Sequence, residues 1–314
     1  MNRKRTHTIL LLLFFVLLCT NRGFSGGWTQ GKGHFYAKFS VLNFSNSSTF
    51  NVHGQKLPNI HSEFMGALGG VFKQGTFKSQ GFSFYTEVGI SPRVDIIVGL
   101  YGATLQNKWQ FSKGANPDIV QKNQGLVSFT GGAKINLIDK PLIFSLKLTA
   151  LIPTYQNNLG ALNIEPEDLD FFDNTPALGN GAVVFALTPQ FGYAFKTIPI
   201  WLELESGIRL RSKLFSDEIP LFLQAGYSLK NHTFLAVSLN LVKSLGNGDW
   251  PNFYRNDIGK GPYVINDQEF VDLGLSAGKK LFRMFWAEAS YLKTLSGKRM
   301  PAGQSITLGL AIKH

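Results

Sequence analysis

The stretch from Ile200 to Lys213 reads IWLELESGIRLRSK and separates into two faces when every second residue is taken. One face is aliphatic apart from two serines, and the other carries Trp201, Glu203, Glu205, Gly207, Arg209, Arg211 and Lys213. This period of two predicts a β-strand. In a soluble sandwich the aliphatic face would form the core, whereas in a membrane barrel it would contact lipid and the charges would face a wet lumen.

The amino terminus has the parts of a secretory signal peptide. Three basic residues at 3–5 precede the apolar run Ile9–Cys19, and Gly23-Phe24-Ser25 offers small residues for cleavage. The apolar run is about half the ~20 residues that a transmembrane helix needs. We therefore predict a signal peptide over residues 1–25 and an outer-membrane β-barrel over residues 26–314.

Cys19 is the only cysteine, so the mature chain is predicted to have no disulfide and no thiol chemistry. A lipoprotein anchored at Cys19 is disfavoured by the bulky Leu18 before it. The formal charge of +11 would suit nucleic acid, but an exported chain rarely meets it and the charges are spread along strands. We expect no nucleic-acid partner, whereas outer-membrane lipid and anionic solutes fit this charge better.

Two-residue alternation recurs from Gly33 onward, with polar, glycine-rich breaks and no helical period between them. These breaks delimit twelve candidate strands, at 34–43, 77–90, 94–106, 124–138, 141–154, 181–196, 199–213, 218–230, 232–244, 268–280, 282–294 and 303–313. The fold class is therefore predicted to be all-β, a transmembrane antiparallel up-and-down β-barrel of about 12 strands.

The breaks between the candidate strands differ in length. Tight turns follow the second, fourth, sixth, eighth and tenth strands, and the breaks after the seventh and eleventh are also short. The long breaks occupy residues 44–76, 107–123, 155–180 and 245–267. Outer-membrane barrels have short periplasmic turns and longer extracellular loops, whereas a sandwich has no reason to sort its loops in this way.

The face opposite the aliphatic rows is rich in glycine and serine as well as charge, as at Gly226 and Ser228 or Gly274 and Ser276. Small residues suit a crowded concave interior. Placing an arginine or lysine against lipid at mid-membrane would cost about 2–4 kcal/mol. The charges are therefore predicted to face the lumen and the aliphatic rows to face lipid.

The last predicted strand alternates down to the end of the chain, through Ile306, Leu308, Leu310 and Ile312. This pattern matches the terminal strand that the outer-membrane assembly machinery reads, so that machinery is an expected partner. His314 stands where an aromatic residue, usually Phe, is expected.

Two stretches carry recognisable motifs: Gly26–Ser40, GGWTQGKGHFYAKFS, and Tyr85–Gly102, YTEVGISPRVDIIVGLYG. The first resembles the mature start and first strand, and the second resembles the second hairpin, of the phenol-degradation meta-pathway outer-membrane transporter family of Gram-negative bacteria. The hairpin motif is kept at Glu87, Gly89 and Arg93, and is altered at Val88 and Pro92. The resemblance implies passage of small, aromatic or hydrophobic compounds through the outer membrane.

Several charged residues are predicted to line the pore. They are Lys134, Lys147, Glu203, Glu205, Arg209, Arg211, Lys213, Asp272 and Glu288. If the strand over 199–213 rises from a periplasmic turn, its acids lie low in the lumen and its bases lie near the outer mouth. These charges could form a basic mouth that concentrates anionic solutes, or internal ion pairs that only fill the lumen.

The predicted loop between the fifth and sixth strands contains Leu162–Leu178, with five acids, no base and the pair Phe171 and Phe172. One interpretation folds this loop into the mouth, where its acids meet the bases of the seventh strand and the two phenylalanines form a constriction. The other interpretation is a solvated loop at the cell surface, and divalent-ion binding by the acids is a further alternative.

Enzymatic activity is not expected. Some twelve-stranded barrels hydrolyse lipids with a Ser/His pair at the outer rim, but the histidines here do not fit: His34, His232 and His314 lie toward the periplasm, and no serine motif accompanies His53 or His61. We predict no catalytic, cofactor-binding or metal site, because the glycines are scattered through strands instead of forming a phosphate-binding loop.

The sequence thus predicts a porin-like barrel in the bacterial outer membrane that acts as a passive channel for a small-molecule solute. A closed barrel with a structural or surface-recognition role is the leading alternative. A secreted soluble β-protein is the third.

Overall fold

The computed structural model describes residues 27–51, 53–58, 72–111, 118–154, 178–179, 181–212, 215–229, 232–248 and 267–314. In these ranges the chain forms β1 (Phe35–Phe50), β2 (Lys56–Leu57), β3 (Phe72–Ser91), β4 (Val94–Phe111), β5 (Ile119–Ile138), β6 (Leu142–Pro153), β7 (Val184–Ala194), β8 (Ile200–Ser206), β9 (Ile208–Arg211), β10 (Glu218–Leu229), β11 (Thr233–Ser244), β12 (Glu269–Phe282), β13 (Phe285–Lys298) and β14 (Met300–Lys313). No helix in those ranges has the length and apolar character to cross a membrane.

The strands form one sheet that closes on itself into a barrel. Strands that follow each other around the barrel pair antiparallel, and β14 pairs with β1 to complete the ring. The fourteen segments occupy twelve positions in the barrel. β2 is a two-residue ribbon on β1 and adds no position, and β8 and β9 together form one interrupted strand between β7 and β10. The described chain therefore has twelve strand positions, which confirms the predicted fold class.

The interruption lies at Gly207 and corrects the prediction of one continuous strand over 199–213. A Cβ atom at Gly207 would lie 2.0 Å from the carbonyl oxygen of Leu187 in β7. The backbone thus approaches its neighbour too closely for any side chain, as is typical of bulges and bends in strands. Because β8 and β9 both keep their partners in β7 and β10, the barrel stays closed.

Four strands extend five to seven residues further toward the loops than alternation predicts, and β13 and β14 extend four and three residues further. β1 and β4 continue to Phe50 and Phe111, and β3 and β5 begin at Phe72 and Ile119. Outer parts of these strands carry polar residues on both faces, as in Ser45-Asn46-Ser47-Ser48, so the hydrophobic period disappears while backbone pairing continues. The first two long loops are correspondingly shorter than predicted.

The two ends of the barrel differ in their connections. Short turns join strands at 92–93, 139–141, 195–199 and 283–284, at the end that also holds the carboxyl terminus. Long connections at the opposite end span 51–71, 154–183 and 245–268. By the arrangement found in outer-membrane barrels, the short turns mark the periplasmic end and the long connections the extracellular end.

The sheet turns its aliphatic rows outward. Leu308 is 61% exposed, Phe185 60% and Leu275 56%, whereas the charged Lys134 and Asp95 on the inner face have no exposed surface. This distribution is the reverse of that in soluble proteins, where large apolar side chains fill the interior. Hydrocarbon chains cover such an outer belt without penalty, so the charges face inward and the aliphatic side chains face lipid.

Leu275→Arg is expected to lower the free energy of unfolding by about 2–4 kcal/mol, because the new cation would enter the lipid-facing belt. Ser276→Arg is the matched control, since Ser276 lies on the same face of β12 as the inward-facing Asp272, which is 6% exposed. Urea titration of the barrel folded in lipid vesicles measures both changes. A larger loss for Ser276→Arg than for Leu275→Arg would mean that the two faces of the sheet are assigned the wrong way round.

Candidate functional site

The residues that precede β1 enter the barrel at its periplasmic end and lie against the inner wall. We call Gly27–Gln30 the N-terminal segment. Its first carbonyl accepts a hydrogen bond from the Ser145 hydroxyl, and the Lys134 ammonium donates to the carbonyl of Trp28 at 2.7 Å. Its last backbone N–H donates to both carboxylate oxygens of Asp95, at 3.1 and 3.0 Å. The segment is therefore fixed to the wall formed by β4, β5 and β6.

Two wall glycines make room for this arrangement. A Cβ at Gly192 would lie 2.9 Å from the ring of Trp28, and a Cβ at Gly89 would lie 1.8 Å from the carbonyl oxygen of Gly31. A larger residue at Gly89 would displace the backbone that enters the lumen, and one at Gly192 would displace the ring of Trp28. The absence of side chains at such inward positions marks a close approach of another part of the backbone.

A buried ion cluster anchors the N-terminal segment. The Lys134 ammonium lies 2.6 Å from a carboxylate oxygen of Glu87 and 3.4 Å from one of Asp95, and these three side chains are 0–3% exposed. Glu87 also accepts hydrogen bonds from the Gln30 amide at 3.0 Å and from the Tyr85 hydroxyl at 2.6 Å. Because two carboxylates share one lysine, the cluster depends on the hydrogen bonds that its neighbours supply.

A second ion pair lies on the adjoining wall. The Lys147 ammonium is 2.9 Å from a carboxylate oxygen of Glu205 in β8, and the Gln190 amide donates to the same carboxylate. Glu203, two residues earlier on β8, faces inward and is 6% exposed. Both predicted acids of this strand thus lie in the lower lumen, and the lysine predicted to line the pore pairs with one of them.

A third cluster joins β1, β13 and β14. Glu288 lies 2.7 Å from the ammonium of Lys38 and 3.7 Å from that of Lys313. The Lys313 ammonium also lies 4.6 Å from the ring centre of Trp286 and 5.5 Å from that of Tyr36. Aromatic faces attract a cation at this range, so Lys313 is held by rings and a carboxylate together.

The predicted basic residues at the outer mouth pair with an acid of the next strand. Arg211 lies 2.6 Å and Arg209 3.5 Å from carboxylate oxygens of Glu218 in β10. The Arg211 guanidinium also lies 4.9 Å from the ring centre of Phe215. Glu218 therefore neutralises part of the positive charge that, in one interpretation of the sequence, would attract anionic solutes.

The remaining predicted site residues divide into two groups. Asp272 faces inward, is 6% exposed, and lies beside Thr294 and Asn240. Three others fall outside the residues that the structure describes: Lys213, Phe171 and Phe172. The constriction by the two phenylalanines therefore stays a prediction.

A cavity of about 510 Å³ remains in the lumen beside the N-terminal segment. The aromatic residues of its lining are Trp28, Tyr36, Phe195, Trp201, Phe222, Phe234 and Tyr291, and its charged residues are Lys38, Glu203, Glu288 and Lys313. Its neutral polar side chains include Gln224, Ser228, Ser238, Ser276, Ser290 and Thr307. Most of the lining comes from β8 and β10 to β14, which is the side of the barrel opposite the wall that holds the segment.

Sequence reasoning missed the buried cluster. It noted Glu87 only as a motif match and did not single out Asp95 or the N-terminal segment, although Lys134 was predicted to line the pore. A signal was present, because Asp95 and Lys134 are direct cross-strand partners and Glu87 lies on the inner face of the next strand. Opposite charges at paired positions on neighbouring strands indicate an internal ion pair.

The terminal histidine occupies the position of the expected aromatic residue. The ring of His314 lies 4.7 Å from that of His34 and 5.7 Å from that of Phe35, between centres. Burial lowers the pKa of His314 below its usual value, and the neighbouring His34 lowers it further. At the β1–β14 seam, the His314 ring thus makes the edge contacts with neighbouring rings that an aromatic side chain can make.

Comparison with known proteins gives a match in fold. No protein family and no curated protein matches the sequence. The COG4313 outer membrane channel from Pseudomonas putida F1 superposes with a TM-score of 0.59 at 12% identity, over 94% of this chain and 100% of that one. This is the outer-membrane β-barrel fold. Together with the lipid-facing belt, it places the chain in the bacterial outer membrane.

Two further solved structures align with lower scores. The translocator domain of the autotransporter NalP from Neisseria meningitidis gives a TM-score of 0.44 at 11% identity, over 99% of this chain and 95% of that one. A Pseudomonas aeruginosa FadL homologue gives 0.42 at 8% identity, over 89% and 90%.

Proposed function

We propose that this protein is a passive outer-membrane channel for small solutes, and that neutral compounds with an aromatic or apolar body are its favoured class. The cavity beside the N-terminal segment carries the proposal. Its volume of about 510 Å³ falls within the range of sites that bind small molecules, which combine aromatic walls with a few polar groups. The family resemblance and the similarity in fold to a channel support the same function.

The pairing of charges favours neutral over anionic solutes. Lys147 pairs with Glu205, while Lys38 and Lys313 share Glu288. The Lys134 cluster adds one lysine and two carboxylates, so the three clusters together hold four lysines and four carboxylates. With no net formal charge, they create little positive field in the lumen. We therefore favour internal ion pairs that shape the lumen over a basic filter that concentrates anions.

The solute path is inferred to run along the wall opposite the N-terminal segment. β4, β5 and β6 hold that segment, and their inner face carries the buried Lys134 cluster. β8 and β10 to β14 supply the free inner surface. A solute that crosses the barrel would then pass Trp28 on one side and Trp201 and Phe222 on the other.

Bilayer reconstitution tests the proposal. The purified barrel should give single-channel currents in planar bilayers and should speed the swelling of liposomes in a small neutral aromatic alcohol. An anionic aromatic of the same size should permeate more slowly. Swelling no faster than in protein-free liposomes, combined with an absence of current, would overturn the channel function.

Ser238→Trp should slow solute permeation severalfold, because an indole at this inward position of β11 would fill part of the cavity. Val237→Trp is the matched control, since Val237 faces lipid and is 44% exposed. Liposome swelling compares both variants with the unmodified barrel. Equal rates for Ser238→Trp and the unmodified protein would exclude this cavity from the path.

A closed barrel is the second candidate, and one observation favours it. The N-terminal segment and the Lys134 cluster fill one side of the periplasmic lumen with buried, paired groups. A barrel sealed in this way would serve structure or recognition through its long connections. The conductance experiment separates this function from transport.

The predicted processing and assembly are also part of the proposal. We infer that a signal peptide over 1–25 is removed, which would leave Gly27 free to enter the lumen beside Ser145. Intact mass of the membrane protein would give the cleavage site. We further infer insertion by the outer-membrane assembly machinery, with the β14 strand as its signal.

A further inference from the structure

Strands β3, β4 and β5 are the longest that the structure describes, at 20, 18 and 20 residues. A tilted transmembrane strand needs about 9–11 residues, so all three continue well beyond the hydrocarbon at the extracellular end. Phe82 and Leu126, which are 46% and 42% exposed, mark the upper edge of the lipid-facing belt on these strands. Beyond this edge the outward positions are polar, apart from Val120.

The strand register aligns these polar side chains in two rows. The row next to the belt consists of Gln80, Thr104 and Gln124, and the row beyond it consists of Lys78, Gln106 and Lys122. Lys108 follows one outward position further along β4. Since neighbouring strands lie about 4.8 Å apart, the backbones at Lys78 and Lys122 are about 10 Å apart.

The patch formed by these two rows and Lys108 carries an excess of positive charge. Lys108 pairs with Asp118 at 2.9 Å. Lys78 and Lys122 are exposed and form no ion pair with any residue in the described ranges. Among the described residues, this surface thus presents two ammonium groups without an acidic partner, with amide and hydroxyl groups between them and the hydrocarbon.

We propose that this patch binds the phosphorylated glycolipid of the outer leaflet, lipopolysaccharide. Two lysines whose backbones are about 10 Å apart can contact one phosphate each or converge on one, because a lysine side chain is long and flexible. The amide and hydroxyl row below them suits the hydroxyl and amide groups of the sugar headgroup. The apolar belt beneath that row receives the acyl chains.

The position of the patch selects this lipid. It lies at the end with the long connections, where the outer leaflet carries the glycolipid, and directly above the belt, where headgroup phosphates lie. The periplasmic rim is also basic, with exposed Arg93, Lys140 and Lys196, but it faces the phospholipid leaflet. Lys140 and Lys196 therefore serve as a control: they carry the same charge as Lys78 and Lys122 but lie at the opposite end of the barrel. The proposal holds for an open or a closed barrel.

Native mass spectrometry of the folded barrel in detergent tests the proposal. The unmodified protein should retain one molecule of bis-phosphorylated lipid A, and should bind it more tightly than monophosphorylated lipid A or phosphatidylglycerol. The double variant Lys78→Gln with Lys122→Gln should lose about tenfold or more in affinity, since each cation near an anionic lipid contributes to binding. Lys140→Gln with Lys196→Gln, which removes the same charge from the periplasmic rim, should retain the affinity.

Three results would overturn this assignment: unchanged affinity in the Lys78 and Lys122 double variant, an equal loss in the Lys140 and Lys196 double variant, or binding of phosphatidylglycerol as tight as that of lipid A. Heat-dependent migration in SDS gels confirms that each variant is folded. Should the double variant fail to fold, the single variants Lys78→Gln and Lys122→Gln are measured in its place. Each should then show a partial loss of affinity, and unchanged affinity in both would likewise overturn the assignment.

Discussion

Lys134→Met is expected to lower the free energy of unfolding of the barrel by about 3–5 kcal/mol, because it leaves two carboxylates buried without their cation. Glu87 and Asp95 lie 2.6 and 3.4 Å from the Lys134 ammonium, with 0–3% of their side chains exposed. The substitution also removes the hydrogen bond to the carbonyl of Trp28. Urea titration in lipid vesicles measures the loss.

Two matched variants separate the charge effect from a packing effect. Neutralising the whole cluster, as Lys134→Met with Glu87→Gln and Asp95→Asn, should restore most of the stability, because no unpaired charge remains buried. Lys122→Met removes an exposed lysine from the same strand and should change stability little. If the triple variant were as unstable as Lys134→Met alone, the loss would come from packing and not from unpaired charge.

Alternation was sufficient to predict the barrel wall. Because side chains alternate between lipid and lumen, each strand shows its two environments directly in the sequence, and ranges such as 141–154 and 218–230 nearly coincide with β6 and β10. The prediction of strand ends failed where the two faces of a strand no longer lie in different environments. The outer parts of β1, β3, β4 and β5 are polar on both faces, so the pattern ends before the backbone ladder does.

The contents of the lumen were less predictable than its wall. The inward positions of Lys134 and Glu205 follow from strand period alone, but their partners depend on register and on strand shear. Entry of Gly27–Gln30 into the barrel has no periodic signal at all. Two sets of residues distant in sequence allow this entry. Gly89 and Gly192 leave space at the wall, and the buried carboxylates of Glu87 and Asp95 accept hydrogen bonds from the segment.

Deleting residues 27–30 is expected to raise single-channel conductance about twofold, because the N-terminal segment occupies part of the lumen of a barrel that is only twelve strands wide. The segment lies on one wall and the cavity of about 510 Å³ lies beside it. Conductance depends on the narrowest open cross-section, so removing the segment widens the path while the twelve strands stay paired. Planar-bilayer recording of the purified variant measures the increase.

Trp28→Ala provides a milder version of the same test that keeps the chain length. The Trp28 ring packs over Gly192 and borders the cavity, so its removal should raise conductance by less than the deletion does. Lys32→Ala alters an exposed side chain just outside the lumen and should leave conductance unchanged. If the deletion and Trp28→Ala both conducted like the unmodified barrel, the passage would have to be limited at the extracellular end, where the constriction by Phe171 and Phe172 is predicted.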